Sequence, residues 1–184
     1  MFPNICIVCP CDPVEARLAA LYSLQAKTPV YTRLAKRGEP AIHSSAAFDI
    51  TLPHVIREGA DTAILFHGSI SAEVMKAYDE LVRNRIHPLL VSIPMVQPLQ
   101  TEALIGLLRN TKHVVCVEKH FENSGLGSMV RRMAHEHRCS WSLTTMGIPY
   151  RFIHEVKHTE PMRKHFGIAA DDIVRMVTKP RGGA

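Results

Sequence analysis

The sequence predicts an α/β fold: a three-layer αβα sandwich with a mostly parallel sheet, preceded by a short β-α-β segment. Continuous apolar runs such as Ile5-Cys6-Ile7-Val8, Thr62-Ala63-Ile64-Leu65-Phe66, Leu89-Leu90-Val91-Ser92-Ile93 and Val114-Val115-Cys116-Val117 suit strands covered on both faces. Helix-forming stretches separate them, so that strand and helix alternate and imply a parallel sheet with helices on both sides. Right-handed crossovers then gather the strand C-termini, and the loops after them, on one edge.

The elements follow in order. After the first strand, Asp12 is placed to cap a helix, Pro13 takes its first position, and Glu15 falls where a capping-box carboxylate belongs. That helix runs to about residue 25, and the strand Val30-Tyr31-Thr32-Arg33 delivers Arg33 at its end. From Leu34 to Ala47 periodicity disappears into a polar connector with Lys36, Arg37, Gly38, Glu39, Pro40, Ser44 and Ser45. The chain therefore divides into a segment 1–40, a domain 46–178 and a disordered tail 179–184. In the domain, the strand 62–66 ends at His67-Gly68-Ser69, and Val74, Ala77, Tyr78, Leu81 and Val82 form a helical stripe. The strand 89–93 leads through a turn at 94–99 to a helix near 101–109. The strand 114–117 stops at Glu118, and Gly125-Leu126-Gly127 opens a helix at 128–137. Residues 141–146 supply a last strand, and 160–177 one or two short helices.

With 184 residues, 46% hydrophobic and 21% charged, the chain suits one domain with a short appendage. No apolar run reaches the ~20 residues of a membrane helix, and residues 1–11 lack signal-peptide features. A soluble, cytoplasmic protein is expected. The net charge of +5 is dispersed, which favours anionic small molecules or an acidic partner over nucleic acid. Reduced thiols are the default for the five cysteines; Cys6, Cys9 and Cys11 read as small buried residues, not a metal site.

Three motifs carry candidate chemistry. His154-Glu155-Val156-Lys157-His158 spells H-E-x-x-H, which binds zinc only when a helix puts both histidines on one face and a third ligand joins them. It follows closely on Gly147-Ile148-Pro149-Tyr150 and no extension accompanies it, so a zinc hydrolase is a minor alternative. Gly125-Leu126-Gly127 lacks the third glycine of a dinucleotide fingerprint, Val130 standing in that place, and reads as a sharp turn into a helix. Arg33, at a strand C-terminus and close to Lys36 and Arg37, is placed to grip a phosphate, although a solvated basic loop accounts for the same residues.

Taken together, these segments resemble the end of a transketolase-like polypeptide. Cys9-Pro10-Cys11-Asp12-Pro13-Val14-Glu15-Ala16 is similar to that family's P-x-D-x-x-E-A segment, and Pro29-Val30-Tyr31-Thr32-Arg33-Leu34 to its P-V-Y-I-R-L strand. Glu58-Gly59-Ala60-Asp61, Val96-Gln97-Pro98-Leu99, and Val117-Glu118-Lys119-His120 with Ser124-Gly125-Leu126-Gly127-Ser128 continue the series in order. Gly147-Ile148-Pro149-Tyr150-Arg151-Phe152 and His165-Phe166-Gly167-Ile168 close it. Gln100 replaces the turn aspartate, Ser124 the first glycine, and Lys119 stands where an acid is frequent.

The resemblance implies a transketolase C-terminal domain preceded by a remnant of the pyrimidine-binding domain. It implies ketol transfer between sugar phosphates, with Arg33 as the substrate phosphate ligand and no catalytic, cofactor or metal ligand on this chain. Thiamine diphosphate with magnesium would be held in a complete complex, since no G-D-G…N string and no activating glutamate occur here. A partner subunit carrying the diphosphate- and pyrimidine-binding domains is expected, in a dimer or heteromer, and the chain alone should be inactive. A non-catalytic assembly or regulatory module, a deoxyxylulose-phosphate synthase and a 2-oxoacid dehydrogenase β-subunit stay open as alternatives.

Overall fold

The computed structural model describes residues 3–36, 39–44, 47–155 and 158–179. The tail beyond Lys179, Arg37, Gly38, Ser45 and Ala46 of the connector, and Val156 and Lys157 of the H-E-x-x-H string lie outside the described residues.

The chain opens with β1 (Cys6–Val8), α1 (Pro13–Gln25) and β2 (Val30–Thr32), a parallel strand pair with its crossover helix. After the connector come β3 (His54–Arg57), β4 (Asp61–Phe66), α2 (Ser71–Arg83), β5 (Leu89–Ser92), β6 (Met95–Gln97) and α3 (Thr101–Leu108). β7 (Thr111–Phe121), α4 (Leu126–Glu136), β8 (Ser142–Ile148), α5 (Thr159–His165) and α6 (Ala170–Thr178) complete the described elements. Five strands form a sheet in the order β3-β5-β4-β7-β8, parallel throughout except for β3.

The apolar runs are continuous because alternate residues meet different helical layers. Ile64, Phe66, Leu90, Val115 and Val117 pack with Val74, Ala77 and Leu81 of α2 and Ile173 and Val177 of α6. Ala63, Leu65, Val91, Val114 and Cys116 pack instead with Leu104 and Leu108 of α3 and Leu126, Val130 and Met133 of α4. This is the three-layer sandwich that the sequence predicts. Burying each large apolar side chain in it contributes about 1.5–3 kcal/mol before the entropy of ordering.

Two strands escape the sequence reading. β3 is a half-exposed edge strand without alternation. β6 has three residues inside the predicted turn, yet it pairs antiparallel with β1 to make a second sheet in the order β2-β1-β6. A small core of Cys6, Val8, Ala19, Ile50 and Met95 lies beneath that sheet, so residues from both sides of the connector share it. β7 also runs past the predicted stop at Glu118. Its pairing with β8 shifts register between Val117 and Phe121, and the extension carries Lys119 and His120 beyond the regular sheet.

Candidate functional site

The C-terminal ends of β4, β7 and β8 face the ends of β1 and β2 across a cleft of about 410 Å³. Cys9, Tyr31 and Arg33 line one side; His67, Lys119 and His120 line the other. Backbone hydrogen bonds hold the two sides in register. Cys9 N–H donates to Pro94 O at 2.8 Å and Gly68 N–H to Cys9 O at 2.9 Å, while on its own side Arg33 N–H donates to Val8 O at 2.8 Å. The turn after β4 needs φ +65° at Gly68, where a side chain would be strained.

His67 forms the floor of the cleft and is 4% exposed. Glu118 Oε2 stands 3.5 Å from its Nε2, an ion-pair separation, and neither ring nitrogen has a hydrogen bond of good geometry among the described residues. Burial opposes a charge on the ring, but the Cys9 thiol and the Glu118 carboxylate outweigh it and raise the imidazole to about 9. Burial would likewise raise the Glu118 carboxyl. His67 and the N–H groups of Gly127 and Leu126 overcome it and hold the group below the ordinary glutamate range.

Those N–H groups belong to the first turn of α4, and they donate to Glu118 at 2.8 Å from Leu126 and 2.9 Å from Gly127. Glu118 therefore caps α4 from the neighbouring strand, satisfying donors that no side chain of its own turn reaches. The glycine at 125 is required by contact: a Cβ there would lie 1.7 Å from Glu118 Oε2. The glycine pair does open a helix, as the sequence implies, but its tightest constraint is a carboxylate seven residues upstream.

Arg33 is exposed at the cleft, where its Nη2 donates to Lys119 O at 3.2 Å. Behind Lys119, the buried Arg163 meets Glu73 at 3.2 Å and Glu39 at 3.4 Å, and also donates to Ser69 O.

The capping-box expectation for Glu15 needs correction. Asp12 Oδ1 does cap α1 through Glu15 N–H at 2.8 Å, but the Glu15 carboxylate turns inward, taking Cys11 N–H at 2.7 Å and Ser92 Oγ at 2.6 Å. The backbone donor it meets is Cys11, one residue before the cap. Burial keeps the Glu15 carboxyl above its ordinary range despite those donors. Asp12 Oδ2 meanwhile accepts the N–H groups of Ile42 at 3.0 Å and His43 at 3.1 Å, and His43 Nδ1 lies 2.9 Å away. The helix cap thus doubles as a latch on the connector.

Cys11, Asp12 and His43 are the one group of potential metal ligands found close together among the described residues. Magnesium takes oxygen ligands in near-octahedral geometry, so a thiol, an imidazole and an already saturated carboxylate do not fit a diphosphate-bound magnesium. The zinc motif fares no better. His154 lies in irregular chain and His158 is the extended N-cap of α5, so the two do not share a helix face.

Residues 53–173 match the family model described as "Transketolase, C-terminal domain". The chain belongs to the transketolase C-terminal domain family. It is 34% identical over 174 residues to one of the subunits of the apulose-4-phosphate transketolase of Actinobacillus succinogenes, covering 94% of this chain and 56% of that protein. It is 31% identical to the 6-deoxy-6-sulfo-D-fructose transketolase subunit SqwH of a Clostridium species, covering 94% and 53%. A solved structure titled "Split gene transketolase, inactive beta4 tetramer" superposes with a TM-score of 0.89 at 26% identity, over 97% of this chain and 58% of that one. The chain thus spans about half the length of the relatives it matches.

Arg33, from the segment before the matched domain, and Gly125, from within it, line one cleft, and Glu118 sits behind that lining, bonded to Leu126. Sequence reasoning places Arg33 at a strand end but gives His67 and Glu118 no role. Their signal is positional: each stands at the C-terminal end of a parallel strand, on the edge where α/β sheets bind ligands.

Proposed function

We propose that this chain supplies the C-terminal part of a transketolase-like, thiamine diphosphate-dependent enzyme that moves two-carbon ketol units between sugar phosphates. The observation that carries the proposal is Arg33 at a cleft on the strand C-terminal edge, in a chain of this family. Its guanidinium, anchored through one N–H to Lys119 O, offers the remaining donors to a phosphate. Arg33 would bind and orient the substrate's phosphate, so that binding energy from the non-reacting end positions the carbonyl end.

The cofactor's diphosphate and magnesium fall to a partner subunit carrying the G-D-G…N motif, and no chemical step on the cofactor is assigned to the residues described above. The two subunits would assemble as a dimer or heteromer in the cytoplasm. Among the described residues, no helix is long and apolar enough to cross a membrane. Segment 1–40 then acts as the end of the pyrimidine-binding domain and 46–178 as the C-terminal domain.

The experiment mixes this chain with a partner encoding that motif and assays ketol transfer with thiamine diphosphate and magnesium. Activity on mixing, and none from this chain alone, is expected. Arg33→Gln should raise KM for a phosphorylated acceptor about tenfold or more with kcat little changed. Turnover by this chain alone refutes the division of labour. An unchanged KM refutes the role of Arg33 and favours a non-catalytic assembly module.

A further inference from the structure

The charges around the cleft do not balance. Glu118 is committed to His67 and to the N-terminus of α4, and Glu39 and Glu73 are committed to Arg163. Lys119 lies between these groups, half-buried, and its ammonium has no ion pair or hydrogen bond among the described residues. Burial lowers its pKa, and the neighbouring Arg163 and Arg33 lower it further, with Glu39 the single carboxylate acting in the other direction. The hydrogen bond from Arg33 Nη2 to Lys119 O ties the two cationic residues together at the same opening. Two cations facing one opening, with a single nearby carboxylate already paired to Arg163, repel each other, and an anion with two charges relieves both at once.

We propose that Lys119 is a second anion ligand of the Arg33 cleft, and that the pair selects a doubly charged phosphate monoester over a singly charged sulfonate or carboxylate. The proposal rests on the reading of Arg33 as the substrate phosphate contact and deepens it. It gives the domain after the connector a direct part in substrate choice, since Lys119 is carried into the cleft by the irregular extension of β7. The arginine supplies a planar fork that either anion can satisfy; the lysine supplies a compact point charge whose attraction scales with the charge of the ligand. His67 adds positive charge at the floor, but its share is largely cancelled by Glu118.

The test titrates the full chain with inorganic phosphate and with methanesulfonate at constant ionic strength, read by chemical-shift changes or calorimetry. The ratio of phosphate to methanesulfonate affinity should rise between about pH 5.5 and about pH 7.5 as phosphate gains its second charge, a ratio in which any charge change at His120, which shares the cleft, acts on both ligands. Lys119→Gln should weaken phosphate binding about tenfold and flatten its pH dependence, with little effect on methanesulfonate. Lys119→Arg should restore most of the loss, and Arg33→Gln should weaken both ligands. Phosphate binding and pH dependence unchanged in Lys119→Gln, but lost in Arg33→Gln, overturns the role of Lys119 and leaves that of Arg33 standing. Binding unaffected by either substitution, or absent from the wild type, overturns both.

Discussion

Replacing Asp12 by alanine removes one carboxylate from four donors at once: Glu15 N–H at 2.8 Å, Ile42 N–H at 3.0 Å, His43 N–H at 3.1 Å and His43 Nδ1 at 2.9 Å. Loss of an N-cap alone costs about 1 kcal/mol. The three contacts to Oδ2 are charge-assisted, and a buried donor left unmet costs about 1–3 kcal/mol. Ile42 and His43 belong to the connector and can turn toward water, so the contributions do not add in full. A total near 3 kcal/mol follows, which for a chain of this size lowers Tm by about 6–12 °C. Thermal and urea unfolding of the full chain measure it. Asp12→Asn, which keeps one acceptor oxygen for the cap, should fall between the two.

The acid limb provides an independent check. Burial pushes the Asp12 carboxyl up, but Glu15 N–H, His43 and Ile42 N–H outweigh it and hold the group below its ordinary range. A depressed carboxyl contributes stability that is present above its unfolded pKa of about 4 and is lost as pH falls through the folded value. The gap between wild type and Asp12→Ala should therefore narrow below about pH 4. A loss under about 1 kcal/mol at neutral pH, or a gap that widens in acid, refutes the latch.

Two further substitutions probe the cleft floor. Gly125→Ala forces a Cβ to within 1.7 Å of Glu118 Oε2, so the carboxylate must leave α4; a loss of about 2–4 kcal/mol in urea unfolding is expected, and a neutral outcome contradicts the cap. In the wild type, NMR titration should place His67 at about 9, so its share of stability is complete below about pH 6.5 and lost as pH rises through about 9. In Glu118→Gln the ring loses the carboxylate's share of that rise and keeps the share from Cys9, so it should titrate lower than in the wild type, and an unmoved titration excludes Glu118 as a cause.

The sandwich was legible in the sequence because its signal is local. Each buried strand is a short apolar run, and Asp12-Pro13 marks the start of α1 without reference to anything distant. β6 was hidden because its three residues make a strand only when β1 lies beside them, and nothing within 94–99 announces that partner. The site divides in the same way. Arg33 could be placed because the end of a strand is a local property. His67 and Glu118 read as two unconnected strand ends, 51 positions apart, and only the parallel pairing of β4 with β7 brings them to 3.5 Å. The direction of Glu15 departs from the expectation because a capping box is satisfied locally, whereas Ser92, 77 residues away, offers a better donor.

The same contacts explain why the segment before the connector stays with the domain after it. β1 is flanked by β2 on one side and by β6 on the other, so its edge is closed from across the connector. Asp12 holds Ile42 and His43, Glu15 holds Ser92, and Gly68 N–H reaches back to Cys9 O. Of these, Cys9 lines the cleft, whereas the Asp12 and Glu15 contacts lie outside its lining. Arg33 is fixed to β1 by its own N–H on Val8 O and to Lys119 by its guanidinium on Lys119 O, so the geometry needed to meet one phosphate with two cations does not depend on a mobile loop. A substitution that loosens the latch without touching the cleft, such as Asp12→Ala, should weaken anion binding as well as stability. Substitutions on the exposed face of α1, at Leu21 or Leu24, should leave anion binding as it is.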